Sequence, residues 1–311
     1  MLAQAVLELP DAAGRWIYEL KLDGYRCIAV KDAKRAQLFS RNHNLFNLRF
    51  PTIASALAEI EHGTVMDGEI VALDEAGRPS FNVLQNSRVA TTRIHYYVFD
   101  LLVYRGKSVL GLSVESRREL LKLATRSCGD AIRLSQDLPG SARKITNAAK
   151  KLGLEGIIAK QRGSVYEPNK RSGAWVKYRI NRGQELVIGG YVPGSQYFDS
   201  LLVGYYKGSD LIFIAKIRNG FVPRLRRELF ERFKGLETPV CPFANLPEPK
   251  SARRGIALTA DAMKQCRWLE PNLLAQIEFT EWTDGDRLRH SKFAGLREDK
   301  NPKEVTREIA G

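Results

Sequence analysis

Tyr18-Glu19-Leu20-Lys21-Leu22-Asp23-Gly24-Tyr25-Arg26 sets a lysine between two carboxylates, with a glycine and an arginine behind it. Side chains alternate between the two faces of a strand. Trp16, Tyr18, Leu20 and Leu22 therefore share one face, and Glu19, Lys21 and Asp23 the other. Gly24 suits a tight turn, and Tyr25 to Val30 reads as a return strand, making a hairpin. On the residues alone two readings stand: a solvated hairpin face carrying charges of both signs, or a nucleophilic lysine. The second requires the amine to lose a proton whose reference pKa is about 10.4. Burial or nearby positive charge favours that loss, and Arg26 is one candidate neighbour.

Working outward, Gln37 to Asn42 reads as a short strand entering a polar turn at Arg41, and Phe50 to Glu61 as an amphipathic helix. In Thr64 to Leu73, Asp67 and Glu69 share a face around Gly68. A glycine there implies close approach by a ligand or backbone, unless the acids line an exposed edge strand. His95 to Val103, with Phe99 and Asp100, reads as a buried strand. Val114 to Ala124 is a helix capped by Ser113, and Ala142 to Leu152 a helix between Ser141 and Gly153. Glu155 and Lys160 are five apart, so Glu155 belongs in the turn before a strand and Lys160 within it. Trp175, Lys177 and Arg179 share the face of the next strand.

The 311 residues suit two domains. A hydrophobic share of 44% excludes a disordered chain. With 49 Lys+Arg against 35 Asp+Glu the net charge is +14, which suggests a polyanionic partner. Residues 1–182 carry 29 basic and 18 acidic residues and residues 183–311 carry 20 and 17, so the Lys21 half should attract phosphate. Cys27, Cys128, Cys241 and Cys266 form no C-x-x-C pair, arguing against a zinc ribbon. No signal peptide or transmembrane run is apparent, and a cytoplasmic setting is expected. Residues 180–184 read as a hinge, and the second half as short strands (Glu185–Tyr191, Leu201–Tyr206, Leu211–Ile217, Leu274–Trp282) with a helix at Val222 to Phe233. Residues 236–255 read as a proline-rich loop.

ELKLDGYR (19–26), SRN (40–42), DGEIV (67–71), YVFDLL (97–102), EGIIAK (155–160) and WVKYR (175–179) occur in the order and approximate spacing of the motifs of ATP-dependent DNA ligases. REDK (297–300) resembles the last motif, and the resemblance runs from about residue 8 to 305. QELVIGGYVPGS (184–195) and RHSKFAGLREDK (289–300) resemble the bacterial end-joining ligases, in many bacteria one domain of a larger repair protein. The resemblance implies an α+β architecture: a nucleotidyltransferase (adenylation) domain, residues 1–182, with antiparallel sheets and flanking helices, then an OB-fold β-barrel domain, residues 183–311.

It also implies three nucleotidyl transfers: Lys21 takes AMP from ATP, the AMP passes to a DNA 5′-phosphate, and a 3′-hydroxyl displaces it. Lys160 and Lys177 would meet the α-phosphate and depress the Lys21 pKa. Glu155, with Glu69, would hold Mg²⁺ or Mn²⁺. Glu69 and Arg41 would hold the ribose, Phe99 would stack on adenine, and Glu19 would lie at its edge. Arg26 and Arg171 would serve phosphate or ribose, while Arg297, Asp299 and Lys300 would orient pyrophosphate. Arg179 stands where relatives often have lysine, and a planar fork is no substitute for a compact ammonium. The expected partners are nicked or broken double-stranded DNA, a Ku-like end-binding protein, and polymerase or nuclease modules, around a monomer that uses no membrane. An RNA ligase, a capping-type guanylyltransferase or a non-catalytic DNA-binding module are the alternatives.

Overall fold

The strand carrying Lys21 does not form a hairpin with the strand after it. In the computed structural model, which describes residues 1–12, 14–86, 93–180, 183–249, 258–283 and 285–308, the two belong to different sheets. The chain forms two compact units, divided in sequence between residues 181 and 182. Asn181 and Arg182, in the expected hinge, lie outside the described residues, as does part of the proline-rich loop.

The first unit contains β1 (Gln4–Ala5), β2 (Trp16–Lys21), β3 (Tyr25–Lys31), β4 (Ala36–Ser40), β5 (Thr64–Ala72), β6 (Ile94–Tyr104), β7 (Lys107–Ser108), β8 (Ile132–Leu134), β9 (Gly156–Gln161) and β10 (Trp175–Arg179). Its helices are α1 (Pro51–Ala56), α2 (Phe81–Asn86), α3 (Val114–Thr125) and α4 (Ala142–Lys151). One sheet runs β1-β10-β9-β2 and the other β4-β3-β5-β6-β7, with β8 parallel to β6. Gly24 is what lets the chain pass from one to the other. A Cβ there would lie 2.1 Å from the Ile70 carbonyl oxygen, so only glycine fits against β5.

Alternation holds strand by strand. Tyr18, Ile157, Ala159 and Val176 pack with Ala142, Ile145 and Ala149 of α4, whose Ser141 caps its first turn. The opposite face carries Glu19, Lys21, Lys160, Lys177 and Arg179. In the second sheet Tyr25, Cys27, Ala29, Leu38, Met66, Ile70 and Tyr96 bury against Ile53, Phe81, Leu84 and Leu121 of the helices. Strand β5 lies between β3 and β6, so Asp67 and Glu69 are not on an edge. Gly68 makes room for an aromatic ring: a Cβ there would sit 2.5 Å from Tyr96 Cε2, whose buried hydroxyl donates to Cys27 O. The helix expected over Phe50 to Glu61 stops after α1 and continues as a 3₁₀ turn, Leu57–Glu59.

The second unit contains β11 (Gly183–Pro193), β12 (Phe198–Lys207), β13 (Asp210–Ile217), α5 (Pro223–Phe233), β14 (Glu237–Thr238), α6 (Ala260–Met263), β15 (Arg267–Glu278), β16 (Glu281–Trp282), β17 (Leu288–Arg289) and β18 (Lys292–Arg297). Its main sheet runs β13-β12-β11-β15, with β18 on β15. A parallel bridge between Asn219, just past β13, and Lys292 of β18 brings the two ends together, closing a five-stranded barrel of the OB type. Leu186, Ile188, Leu202, Phe213, Leu274 and Phe293 belong to one buried hydrophobic cluster of this unit. Phe243, from the proline-rich segment, occupies the space left by Gly189 and Gly204.

Candidate active site

Lys21 ends β2, and its register partner on β9 is Gly156. A Cβ at Gly156 would lie 2.2 Å from Tyr178 O, so the three strands pack closely where the lysine emerges. Glu155 precedes β9, in the turn where parity places it, and its Oε1 pairs with the Lys21 ammonium. Its other oxygen, Oε2, is buried with no hydrogen-bond partner. A buried, unsatisfied carboxylate oxygen fits a cation, and a Mg²⁺ site needs only one or two carboxylates when phosphate and water complete it. Among the described residues no cluster of three or more His, Cys, Asp or Glu side chains supplies a closed protein cage.

Across from Lys21, the second sheet presents Arg26, Asp67 and Glu69 on one face. Arg26 grips Asp67 with two hydrogen bonds, Nε to Oδ1 at 3.1 Å and Nη2 to Oδ2 at 2.6 Å, and also donates to Met1 O. Asp67 is wholly buried and accepts from Tyr166 Oη at 2.7 Å. Burial opposes the Arg26 charge, but attraction to Asp67 prevails and raises its pKa. Burial and the same carboxylate raise that of Tyr166. Phe99 is the extra residue of a bulge in β6, where Asp67 faces Asp100 and Gly68 faces Val98. Bulges re-aim side chains beside functional sites. The Phe99 ring lies edge-on to Trp175, with centroids 6.0 Å apart.

Lys160, expected at the α-phosphate, is buried. It donates to Phe99 O at 2.7 Å, pairs with Glu19 at 2.9 Å, and lies 4.4 Å from the Trp175 ring centroid. Glu19, expected at an adenine edge, is equally enclosed: Oε1 meets Lys160 and Arg118, and Oε2 accepts from Ser135 Oγ at 2.8 Å. Lys177 and Glu69 remain partly exposed on their faces, as does Arg41 in the turn after β4. Arg171 lies exposed in the loop before β10, and Arg179 is buried near its end. In the second unit, Arg297 forms a two-bonded pair with Asp299, both contacts 2.9 Å, and Lys300 pairs with Glu185.

Sequence reasoning missed Arg117 and Arg118. Arg117 is fully buried, binding Asp100 at 2.7 and 3.0 Å and the carbonyls of Leu112 and Ser164. Arg118 binds Glu19, Asp137 and Ser135 O. The signal was present: 114, 117, 118, 121 and 124 follow the i, i+3, i+4, i+7 spacing of a buried stripe. Two arginines inside such a stripe must be paired.

Residues 1–179 match the family model described as ATP dependent DNA ligase domain, and residues 194–300 that described as ATP dependent DNA ligase C terminal region. The chain is 36% identical over 95% of its length to the multifunctional non-homologous end joining protein LigD of Mycobacterium bovis, and 34% identical over 95% to that of Pseudomonas aeruginosa. It spans only 38% and 35% of those proteins. DNA ligase C2 of Mycolicibacterium smegmatis is 30% identical, over 98% of this chain and 92% of that protein. A solved structure described as mycobacterial DNA ligase D complexed with ATP and MES superposes with a TM-score of 0.68 at 33% identity, covering 99% of this chain and 98% of that one. No helix among the described residues is long and apolar enough to cross a membrane. Six motifs in order on the first unit, REDK on the second and these matches agree: the chain belongs to the ATP-dependent DNA ligase family.

Proposed function

We propose that this chain seals breaks bearing a 5′-phosphate and a 3′-hydroxyl in double-stranded DNA, with Lys21 as the nucleophile, as part of end-joining repair. The contact between Lys21 and Glu155, on a sheet face that also bears Lys177, carries the reading. An ammonium has no lone pair, so its proton must leave before attack, and Glu155 is the group that touches it. The freed amine attacks the α-phosphorus of ATP; an N–P bond forms, the α–β phosphoanhydride bond breaks, and pyrophosphate departs. A DNA 5′-phosphate oxygen then displaces Lys21 from the AMP, and a 3′-hydroxyl displaces AMP from the DNA.

The residues present suit phosphoryl chemistry, which is mostly placement and charge neutralisation. Lys177 bears on the α-phosphate. Arg26, held by Asp67, presents a preset fork toward phosphate or ribose, with Glu69, Arg41 and Arg171 beside it. Phe99 offers its ring to adenine. When bound, Mg²⁺ or Mn²⁺ supplies further neutralisation of the phosphate charge, with Glu155 and Glu69 to hold it. The likeness to end-joining relatives supports a Ku-like end-binding partner, and the reading includes a cytoplasmic setting and a monomeric state.

Incubation with ATP and magnesium, followed by peptide mass spectrometry, tests the assignment. The expected result is an adenylyl adduct on Lys21, its absence in Lys21→Ala, and ATP-dependent sealing of a nicked duplex. Labelling by GTP in preference to ATP, or an adduct surviving in the variant, overturns it.

A further inference from the structure

Buried charges join helix α3 to the nucleotide side of the first unit. Lys160 holds an ammonium between two aromatic rings, 5.1 Å from the Phe99 centroid and 4.4 Å from that of Trp175. Glu19 supplies the opposing charge, and only 2% of that residue is exposed. A single ion pair leaves a carboxylate free to turn about its side-chain torsions. Arg118 removes that freedom: its Nη1 binds Glu19 Oε1, while its Nη2 donates to Ser135 O at 3.0 Å. Ser135 returns a hydroxyl to Glu19 Oε2. A planar fork that touches a carboxylate and the carbonyl of that carboxylate's other donor fixes orientation as well as charge.

We propose that Arg118 is a positioning residue for ATP. It sets Glu19, Glu19 sets Lys160, and Lys160, through its hydrogen bond to Phe99 O, sets the bulge that aims the Phe99 ring. The inference rests on the reading that this ring stacks on the adenine.

The charges decide which variant is informative. Removing Arg118 leaves Glu19 and Lys160 as a neutral buried pair, takes one donor from Ser135 O, and leaves no charge without its Arg118 partner except Asp137, whose side chain is 54% exposed. Arg118→Met therefore keeps a folded protein with a loosened strut. Removing Glu19 instead strands the buried Lys160 ammonium and confuses folding with binding.

Equilibrium ATP binding is measured by titration calorimetry without divalent metal, so that no transfer occurs. Arg118→Met should weaken ATP by about tenfold, equivalent to about 1.4 kcal/mol, and Arg118→Lys, which returns the charge but not the fork, should recover only part of the loss. Leu121→Ala, a cavity in the fully buried apolar stripe of the same helix, serves as the stability control. It should lower the melting temperature while leaving ATP affinity near that of the parent. In a Phe99→Ala background Arg118→Met should add less than about twofold, since two residues acting through one contact are not additive. Unchanged affinity in Arg118→Met, an equal loss in Leu121→Ala, or full additivity with Phe99→Ala overturns the inference. A Phe99→Ala protein that binds ATP normally sinks the stacking assignment and this inference with it. Normal binding in Arg118→Met beside weak binding in Phe99→Ala sinks the inference alone.

Discussion

Replacing Gly24 with alanine should cripple adenylation while leaving the protein folded. The added Cβ would lie 2.1 Å from Ile70 O and 3.0 Å from Glu69 Cγ. Ordinary contact begins at 3.4 Å, so the shortfall against the carbonyl is about 1.3 Å. A side chain can rotate away from such a clash, but the Ile70 carbonyl is held within β5, between β3 and β6. Residues 22–24 must therefore give way, and they follow Lys21 directly. A displacement of about 1 Å in reacting geometry costs on the order of 100-fold in rate, or about 2.7 kcal/mol of activation free energy. The strain in the fold should be about 1–3 kcal/mol, a fall of a few degrees in melting temperature. Single-turnover labelling of Lys21 with saturating ATP at 25 °C reads the first effect, and a thermal melt the second. Gly129→Ala is the control: its Cβ meets nothing within 4 Å and its φ is not positive, so rate and stability should stay unchanged. Parent-like labelling by Gly24→Ala would refute the argument that close packing against β5 places the lysine.

Asp67→Asn takes one carboxylate oxygen from Arg26, and should cost about 3 kcal/mol, the low end for a broken buried pair, because the Arg26 side chain keeps 26% exposure; a loss under 1 kcal/mol in urea unfolding would count against it. Glu155→Gln should raise the magnesium concentration for half-maximal Lys21 labelling by at least roughly tenfold, and an unchanged titration would remove Glu155 from the metal assignment. The Cys128 thiol is pushed up to about 11 by burial and by Glu59. A thiol that holds its proton more tightly when folded contributes stability that is present below its usual pKa, near 9, and lost as pH rises through about 11. Cys128→Ala should flatten that part of the stability curve between about pH 9 and 11, whereas a parallel curve would deny the shift.

Much of the site was legible because a strand allows each side chain only two directions. Counting puts Glu19 and Lys21 on one face of their strand and Lys177 and Arg179 on one face of theirs, and the five-residue gap between Glu155 and Lys160 places the glutamate in the turn; the strand pairing then brings these faces together. The partner of a strand is not local information. Leu22-Asp23-Gly24 reads as a hairpin turn because nothing near it reports that β5 will press against the glycine and divert the chain. Strand β15 shows a similar limit. The sequence reads as a strand only from Leu274 onward, although β15 begins at Arg267 and runs through Pro271. The pairing jumps from Ile188–Leu273 to Gly190–Trp268, and the proline sits inside that irregularity, where no ladder donor is required.

Residues that touch substrate can be found by spacing, but residues that hold them in place are harder to find, and α3 gives the reason. Successive positions on a helix point about 100° apart. Arg117 and Arg118, neighbours in sequence, therefore reach different sheets: one binds Asp100 on β6, the other Glu19 on β2. Read as sequence, an RR pair in a charged helix is solvent-facing surface. Its burial becomes legible only when the stripe through Val114, Leu121 and Ala124 is drawn first and the arginines are seen to lie on it. Two buried guanidiniums cannot remain unpaired there, so each requires a carboxylate from a strand, and the fold has placed one in each sheet. The helix thereby fixes the separation between the sheet that carries the nucleophile and the sheet that carries the ring. Shortening Arg118 should be felt at the nucleotide before it is felt in the core, whereas shortening Arg117 strands the buried Asp100 and should be felt in the core first.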